Sequence, residues 1–266
     1  QDISGWSINP SADISNFGSS SGHSDDDLFT ISSEYYFIIR QTALTNDNIQ
    51  DAVNAWISDP SILLYGGHIS NWDVSNITNM VDLFRDKTTF NEDISNWDVS
   101  NVTNMTYMFH NAESFNQPIT YWNVSKVTNM KDLFFNAKTF NRTLIWNVSN
   151  VTDMTSMFYG ADVFTNNGDN SINDWNVSKV THMTCMFREA IAFNQPIENW
   201  NVSSVNQMDK MFYGASIFNR NINDWDVSSV TTMESMFKMA IAFNQPLNDW
   251  DVSSVTTMEG MFRVAN

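Results

Sequence analysis

Side chains able to hold a proton, a metal ion or a nucleophile are thinly spread along this chain. The four histidines, His23, His68, His110 and His182, stand at no spacing that joins them to a base, a nucleophile or a metal ligand. No HExxH, GxSxG, P-loop or CxxC motif occurs. Cys185 precedes Met186 in an apolar stripe, where a thiol packs more readily than it reacts, and as the only cysteine it has no internal disulfide partner. These residues argue against an enzyme. The carboxylates are more suggestive: Asp224, Asp226, Asp249 and Asp251 flank two tryptophans, and four carboxylates brought together would be neutralised by a hard cation such as calcium.

What must position these groups is a repeat, and tryptophan marks it. Trp72, Trp97, Trp122, Trp146, Trp175, Trp200, Trp225 and Trp250 follow at intervals of 25, 25, 24, 29, 25, 25 and 25 residues. Each opens the same phrase, written in the second copy as WDVSNVTNMTYMFHNAESFNQPITY from Trp97 to Tyr121, and the eighth copy stops at Asn266 in mid-phrase. The copy from Trp146 carries four extra residues around Asn166 to Asp169, which read as an enlarged loop. A one-residue deletion lies just before it, near Leu144.

Ile94, Trp97 and Val99, with Asp98 between the last two, show the alternation of a short strand. Met105, Met108, Phe109 and Ala112 then fall at i, i+3, i+4 and i+7, the stripe of a two-turn helix, and Pro118 in the FNQP corner stops its continuation. No such unit can bury its own apolar side, so units must stack. The expected fold is an α/β repeat solenoid, a right-handed coil with one short strand and one short helix per ~25-residue repeat.

Three segments follow. Residues 72–266 hold the eight repeats. Residues 44–71 form a lead-in, in which Ile49, Ala52, Val53 and Trp56 predict a helix ended by Asp59-Pro60, suited to cap the first coil. Residues 1–43 contain a loop-like GSSSGHSDDD stretch and a strand or hairpin over Phe29 to Ile39. The opening QDISGW matches the end of a repeat, so a piece of a longer repeat protein, or a chain that assembles end to end, is expected.

Most of the 15 methionines and the phenylalanine columns fall on inward positions and read as core. Serine three residues after each tryptophan, and threonine six after except at Asn206, predict hydroxyls bonded to backbone of their own or a neighbouring coil. The residue after each tryptophan points outward if the tryptophan points in. This column, Asp73, Asp98, Asn123, Asn147, Asn176, Asn201, Asp226 and Asp251, is the predicted ligand-contacting face. Strands about 4.8 Å apart would also set its aspartates within repulsive distance of one another.

The repeat phrase resembles the leucine-rich repeat, specifically the divergent repeats of BspA-like surface proteins and of the mycoplasma surface-lipoprotein family of unknown function. Ile94-Ser-Asn-Trp97-Asp-Val99 stands where that repeat has its LxxLxL strand, and the MFxxAxxFN run matches its aromatic-rich convex side. The resemblance covers residues 44 to 266 and departs from ordinary leucine-rich repeats in using Trp, Val and Met where leucine is usual. It implies an extracellular or cell-surface location and a recognition or adhesion role toward a protein or glycan.

Composition narrows the partners. Thirteen Lys plus Arg against 30 Asp plus Glu leave a net charge of −17, which argues against nucleic acid. No run of apolar residues is long enough to span a membrane. Nine Asn-x-Ser/Thr sequons open glycosylation in a secretory setting, although the repeat phrase generates them automatically. A different role is also open, a building block of a fibre, scale, coat or shell self-associating through open solenoid ends.

Overall fold

The computed structural model describes residues 43–61, 65 and 67–265. The partial repeat at Gln1 to Trp6, the strand or hairpin at Phe29 to Ile39, and His23 lie outside the described residues.

The lead-in forms the helix its spacing predicts. Helix α1 runs Ile49–Ser58, and Ile49, Ala52, Val53 and Trp56 are its buried residues. Beyond it the Asp59 carboxylate accepts the Ser61 N–H at 3.0 Å and hydroxyl at 2.6 Å, and Pro60 has no N–H to offer another turn. Just ahead of α1, Asn46 Oδ1 accepts the N–H groups of Thr78 and Asn79 at 3.0 and 3.2 Å. In later copies the corresponding Thr103 N–H goes to the Thr78 carbonyl at 2.8 Å. One asparagine side chain thus supplies the acceptor that a preceding copy would otherwise provide.

Consecutive copies lie side by side in parallel. Seven bridges run in series from Asn79 and Asn104 through Asn129, Asp153, His182 and Gln207 to Thr232 and Thr257. They fall seven residues after each tryptophan, not on the tryptophan-flanked segment where alternation predicts a strand, and no extended strand forms among the described residues. The reason is local competition for N–H groups. Ser100 N–H is taken by the Asp98 side chain at 3.0 Å and Val102 N–H by the Val99 carbonyl at 2.9 Å, so this segment has little to give a neighbour.

The predicted repeat helix is also replaced. Met105, Met108, Phe109 and Ala112 are buried as the stripe requires. Yet Met108 N–H returns to Met105 and Ala112 N–H to Phe109, at 3.2 and 3.0 Å, closing two separate four-residue turns. Tyr107 and Asn111 sit at φ 58 and 54, and left-handed residues break the path to the fourth carbonyl back. The alternate N–H groups cross to the next copy instead: Met105 to Asn129, Tyr107 to Lys131, Phe109 to Leu133 and Asn111 to Phe135, at 2.7 to 3.1 Å. The same pair of left-handed positions recurs at Asp82 and Asp86, at Cys185 and Glu189, and with glycine at Gly160, Gly214 and Gly260.

Inside, rings stack on rings. The column from Phe84 through Phe109, Phe134, Phe158, Phe187 and Phe212 to Phe237 has centroid separations of 5.4 to 5.8 Å. A second column, Phe90 to Phe243, repeats at 5.9 to 6.3 Å. Burying each ring contributes about 1.5–3 kcal/mol before ordering entropy is subtracted. The methionine columns lie in the same core, as their spacing predicts, up to the last copy, where Met258 is exposed.

The insertion and the deletion occupy one place. Asn166 is fully buried; its Oδ1 accepts the Leu144 N–H at 2.8 Å while its Nδ2 donates to the Asp169 carbonyl at 2.8 Å. The extra residues therefore fold back over the site where the previous copy is one residue short. One mark remains. Trp97, Trp200 and Trp225 each donate the indole N–H to a carbonyl of the preceding copy, at 2.7 to 3.2 Å, whereas Trp175 Nε1 is buried without a partner. In register its acceptor is the Leu144 carbonyl, which takes the Ser171 hydroxyl at 3.2 Å.

Candidate functional site

All eight residues of the predicted contact column are exposed: Asp73, Asp98, Asn123, Asn147, Asn176, Asn201, Asp226 and Asp251. Their outward position follows from the tryptophans before them, buried up to Trp225, and the valines after them, buried up to Val227. Their side chains, however, are occupied. In every copy the Oδ1 atom accepts the backbone N–H of the serine two residues on, at 3.0 to 3.2 Å. At Asp73, Asn201 and Asp226 the serine hydroxyl donates to the same oxygen, at 2.6 to 2.7 Å. Asparagine and aspartate share this one ability, which is why either serves.

Those donors also decide the electrostatics. The Ser100 hydrogen bonds hold the Asp98 carboxyl below its ordinary range against the weaker upward push of Asp73, and the Ser228 bonds hold Asp226 down against Asp251. Repulsion along the column is real and outweighed.

Of the four carboxylates read as a cation site, Asp224 is exposed and the other three are engaged elsewhere. Asp226 and Asp251 turn back onto Ser228 and Ser253, and Asp249 takes the Asn223 side-chain amide. Among the described residues no three His, Cys, Asp or Glu side chains gather as metal ligands.

The remaining chemical groups are scattered through the copies. His68 Nε2 faces Glu92 at 3.5 Å, His110 stacks on Phe135 with burial lowering its pKa, and His182 Nδ1 meets the Thr181 hydroxyl at 2.8 Å. Burial pushes the Cys185 thiol up, which keeps it protonated. Each threonine hydroxyl from Thr103 to Thr256, where a threonine is present, donates to the carbonyl of its counterpart in the previous copy, at 2.9 to 3.2 Å.

A second column, exposed at its two ends and half-buried between them, escaped the sequence reading. Thirteen residues after each tryptophan stand Arg85, His110, Phe135, Tyr159, Arg188, Tyr213, Lys238 and Arg263. His110, Phe135 and Tyr159 stack at 4.3 and 4.4 Å. The Arg188 guanidinium lies between the Tyr159 and Tyr213 rings, 4.9 and 4.7 Å from their centroids, and Lys238 sits 5.2 Å over Tyr213. A fixed offset from tryptophan was the available signal, but the residue type changes at nearly every copy, so matching by identity passes over it. Beside it Asp132, 7% exposed, has its pKa raised to about 6, chiefly by burial and against the opposing charge of Lys131.

The chain is a repeat protein of turn-built copies carrying one structural polar column and one cation–aromatic column. Residues 61–171 and 163–266 each match the family described as Mycoplasma protein of unknown function, DUF285, and the chain belongs to that family. No curated protein and no solved structure matches it. No helix among the described residues is long and apolar enough to cross a membrane.

Proposed function

We propose that the chain is a non-enzymatic recognition or adhesion module of the extracellular or cell-surface kind, a BspA-like right-handed solenoid that binds a protein or glycan along its repeats. The observation that carries this reading is the unbroken register of copies: seven bridges hold equivalent outward side chains in rows, the arrangement by which stacked repeats make extended binding surfaces. Backbone bonds between copies and stacked rings fix those rows before any ligand arrives, so little ordering cost falls on binding.

The test is binding of the intact chain to immobilised purified glycans and extracellular matrix proteins. Saturable binding to at least one of them, with a Kd below about 100 μM, is expected. Absence of saturable binding across both panels overturns the proposal.

A further inference from the structure

The column thirteen residues after each tryptophan offers edges, not faces. His110, Phe135 and Tyr159 cover one another with interplanar angles of 10 and 17°, and Arg188 is covered on both sides by tyrosine rings. A neutral sugar that stacks on aromatic rings needs an open ring face, and along these rungs the faces are spent. What the stacking leaves uncovered is the electropositive rim of each ring and the edge of the guanidinium. Its Nε is engaged with Glu189 at 3.3 Å, and the Cys185 thiol also hydrogen-bonds the Arg188 side chain. Such a strip attracts anions.

The charge pattern sharpens this. In a chain of net charge −17, four of the 13 Lys and Arg stand in this one column, at Arg85, Arg188, Lys238 and Arg263. The next corner, three or four residues further along, divides the stack. In the first three copies the third residue along is Thr88, Glu113 and Lys138; in the fourth to seventh that position holds Asp162, Ile191, Ser216 and Ile241, with Val163 and Ile217 one residue later, and the four aliphatic side chains are each 45 to 52% accessible. Aliphatic side chains left in water beside arginine and tyrosine are the composition of a protein-binding patch. A polysaccharide or a nucleic acid has no use for that row.

We propose that an acidic polypeptide segment bearing aliphatic side chains docks along the fourth to seventh copies, its carboxylates on the Arg188 and Lys238 edges and its apolar groups on Ile191, Ile217 and Ile241. The proposal rests on the recognition reading above and names the class of partner. The Asp/Asn column, by contrast, is spent on its own backbone in every copy and takes no part.

The experiment uses the whole chain and three synthetic peptides of equal length, in which leucine recurs with glutamate, with serine or with lysine, followed by fluorescence anisotropy; heparin and hyaluronate are titrated in parallel. The glutamate peptide is expected to bind at least about tenfold more tightly than the other two. Its affinity falls at least about fivefold in both Arg188→Ala and Ile217→Ser and is unchanged in Asp98→Asn, with melting temperatures confirming that each variant is folded. Equal affinity for the glutamate and serine peptides, or insensitivity to both strip variants, overturns the proposal. Binding of heparin or hyaluronate through Arg188 without the glutamate peptide replaces the polypeptide with an anionic glycan and overturns it too. The two readings fail separately: panel binding that survives in both strip variants keeps the recognition role and removes this strip from it.

Discussion

The Asp/Asn column and the cation–aromatic column run along the same stack, and they differ in what depends on them. From Asp73 to Asp251 each side chain holds the N–H of a particular serine, so the backbone turn fails if the acceptor is lost. From Arg85 to Arg263 the turn is closed by backbone groups alone, as when Lys87 N–H returns to Phe84, and the side chain between them is free to be arginine, histidine, phenylalanine or lysine. Uniformity therefore marks the scaffold and variety marks the surface. A repeated polar residue in such a stack is first a candidate for backbone bonding, and only afterwards for a ligand.

The largest effect comes from breaking the backbone on which the second column stands. Gly160 sits at φ +62, and a Cβ there collides with the Asn136 side-chain oxygen. Gly160→Ala is expected to cost about 2 kcal/mol, with a fall of roughly 4–8 °C in melting temperature. Met239 holds the equivalent position at φ 61 and is 46% exposed. Met239→Gly relieves that strain and is expected to raise stability by about 0.5 kcal/mol, since added backbone entropy offsets part of the gain. Opposite signs at one register position separate the demand of the backbone from that of the side chain.

Asp132 supplies the next effect, and it depends on pH. Its folded pKa of about 6 lies above the ordinary 3.8, so the folded chain holds the proton more tightly. The resulting penalty grows as pH rises from 3.8 to 6 and is complete above that. The shift corresponds to about 3 kcal/mol, an upper limit that relaxation around the charged form reduces to about 1 kcal/mol. Asp132→Asn keeps a residue that tolerates φ 53. It is expected to stabilise by that amount, about 1 kcal/mol, in melts at pH 7.5 and to have no effect at pH 3.

Much of this organisation was legible in the sequence, and the exceptions share a physical cause. The burial of Trp97, Met105, Met108 and Phe109, and helix α1 from Ile49, Ala52, Val53 and Trp56, could be read from spacing alone. The local backbone of the repeat could not. Two successive turns with left-handed residues at Tyr107 and Asn111 send every third or fourth side chain inward, the same apolar pattern a helix produces. Only tolerance of positive φ distinguishes the two, and glycine, which would have announced it, stands at few of these positions, such as Gly160 and Gly214. The engagement of the Asp98 side chain is hidden in the sequence for a related reason. Spacing gives the direction of a side chain and says nothing of the Ser100 N–H two residues away that claims it.

The first column is tested by Asn201, whose Oδ1 holds both the N–H and the hydroxyl of Ser203, at 3.1 and 2.7 Å. Asn201→Ala removes the acceptor and is expected to cost about 1 kcal/mol. Asn201→Asp restores it at pH 7. The restored stability is then lost as pH falls below the ordinary carboxylate pKa, because these turns hold the folded value low at Asp98 and Asp226. Equal melting of the alanine and aspartate variants at pH 7 would remove the structural role assigned to the column.

The smallest effect is expected on the second column, and its smallness is the point. Arg188 touches two tyrosine rings and Glu189, contacts that lie at the surface and are each worth about 0.5 kcal/mol. Removing the side chain in Arg188→Ala also lets Tyr159 and Tyr213 regain hydration, so the net loss is expected to stay under about 1 kcal/mol, and below that of Asn201→Ala in the same melting experiment. The ordering matters more than either value. An Arg188 variant that destabilised the chain more than the Asn201 variant would make the sandwiched guanidinium part of the scaffold, and the division between a column that builds the stack and a column that is free to meet a partner would be lost.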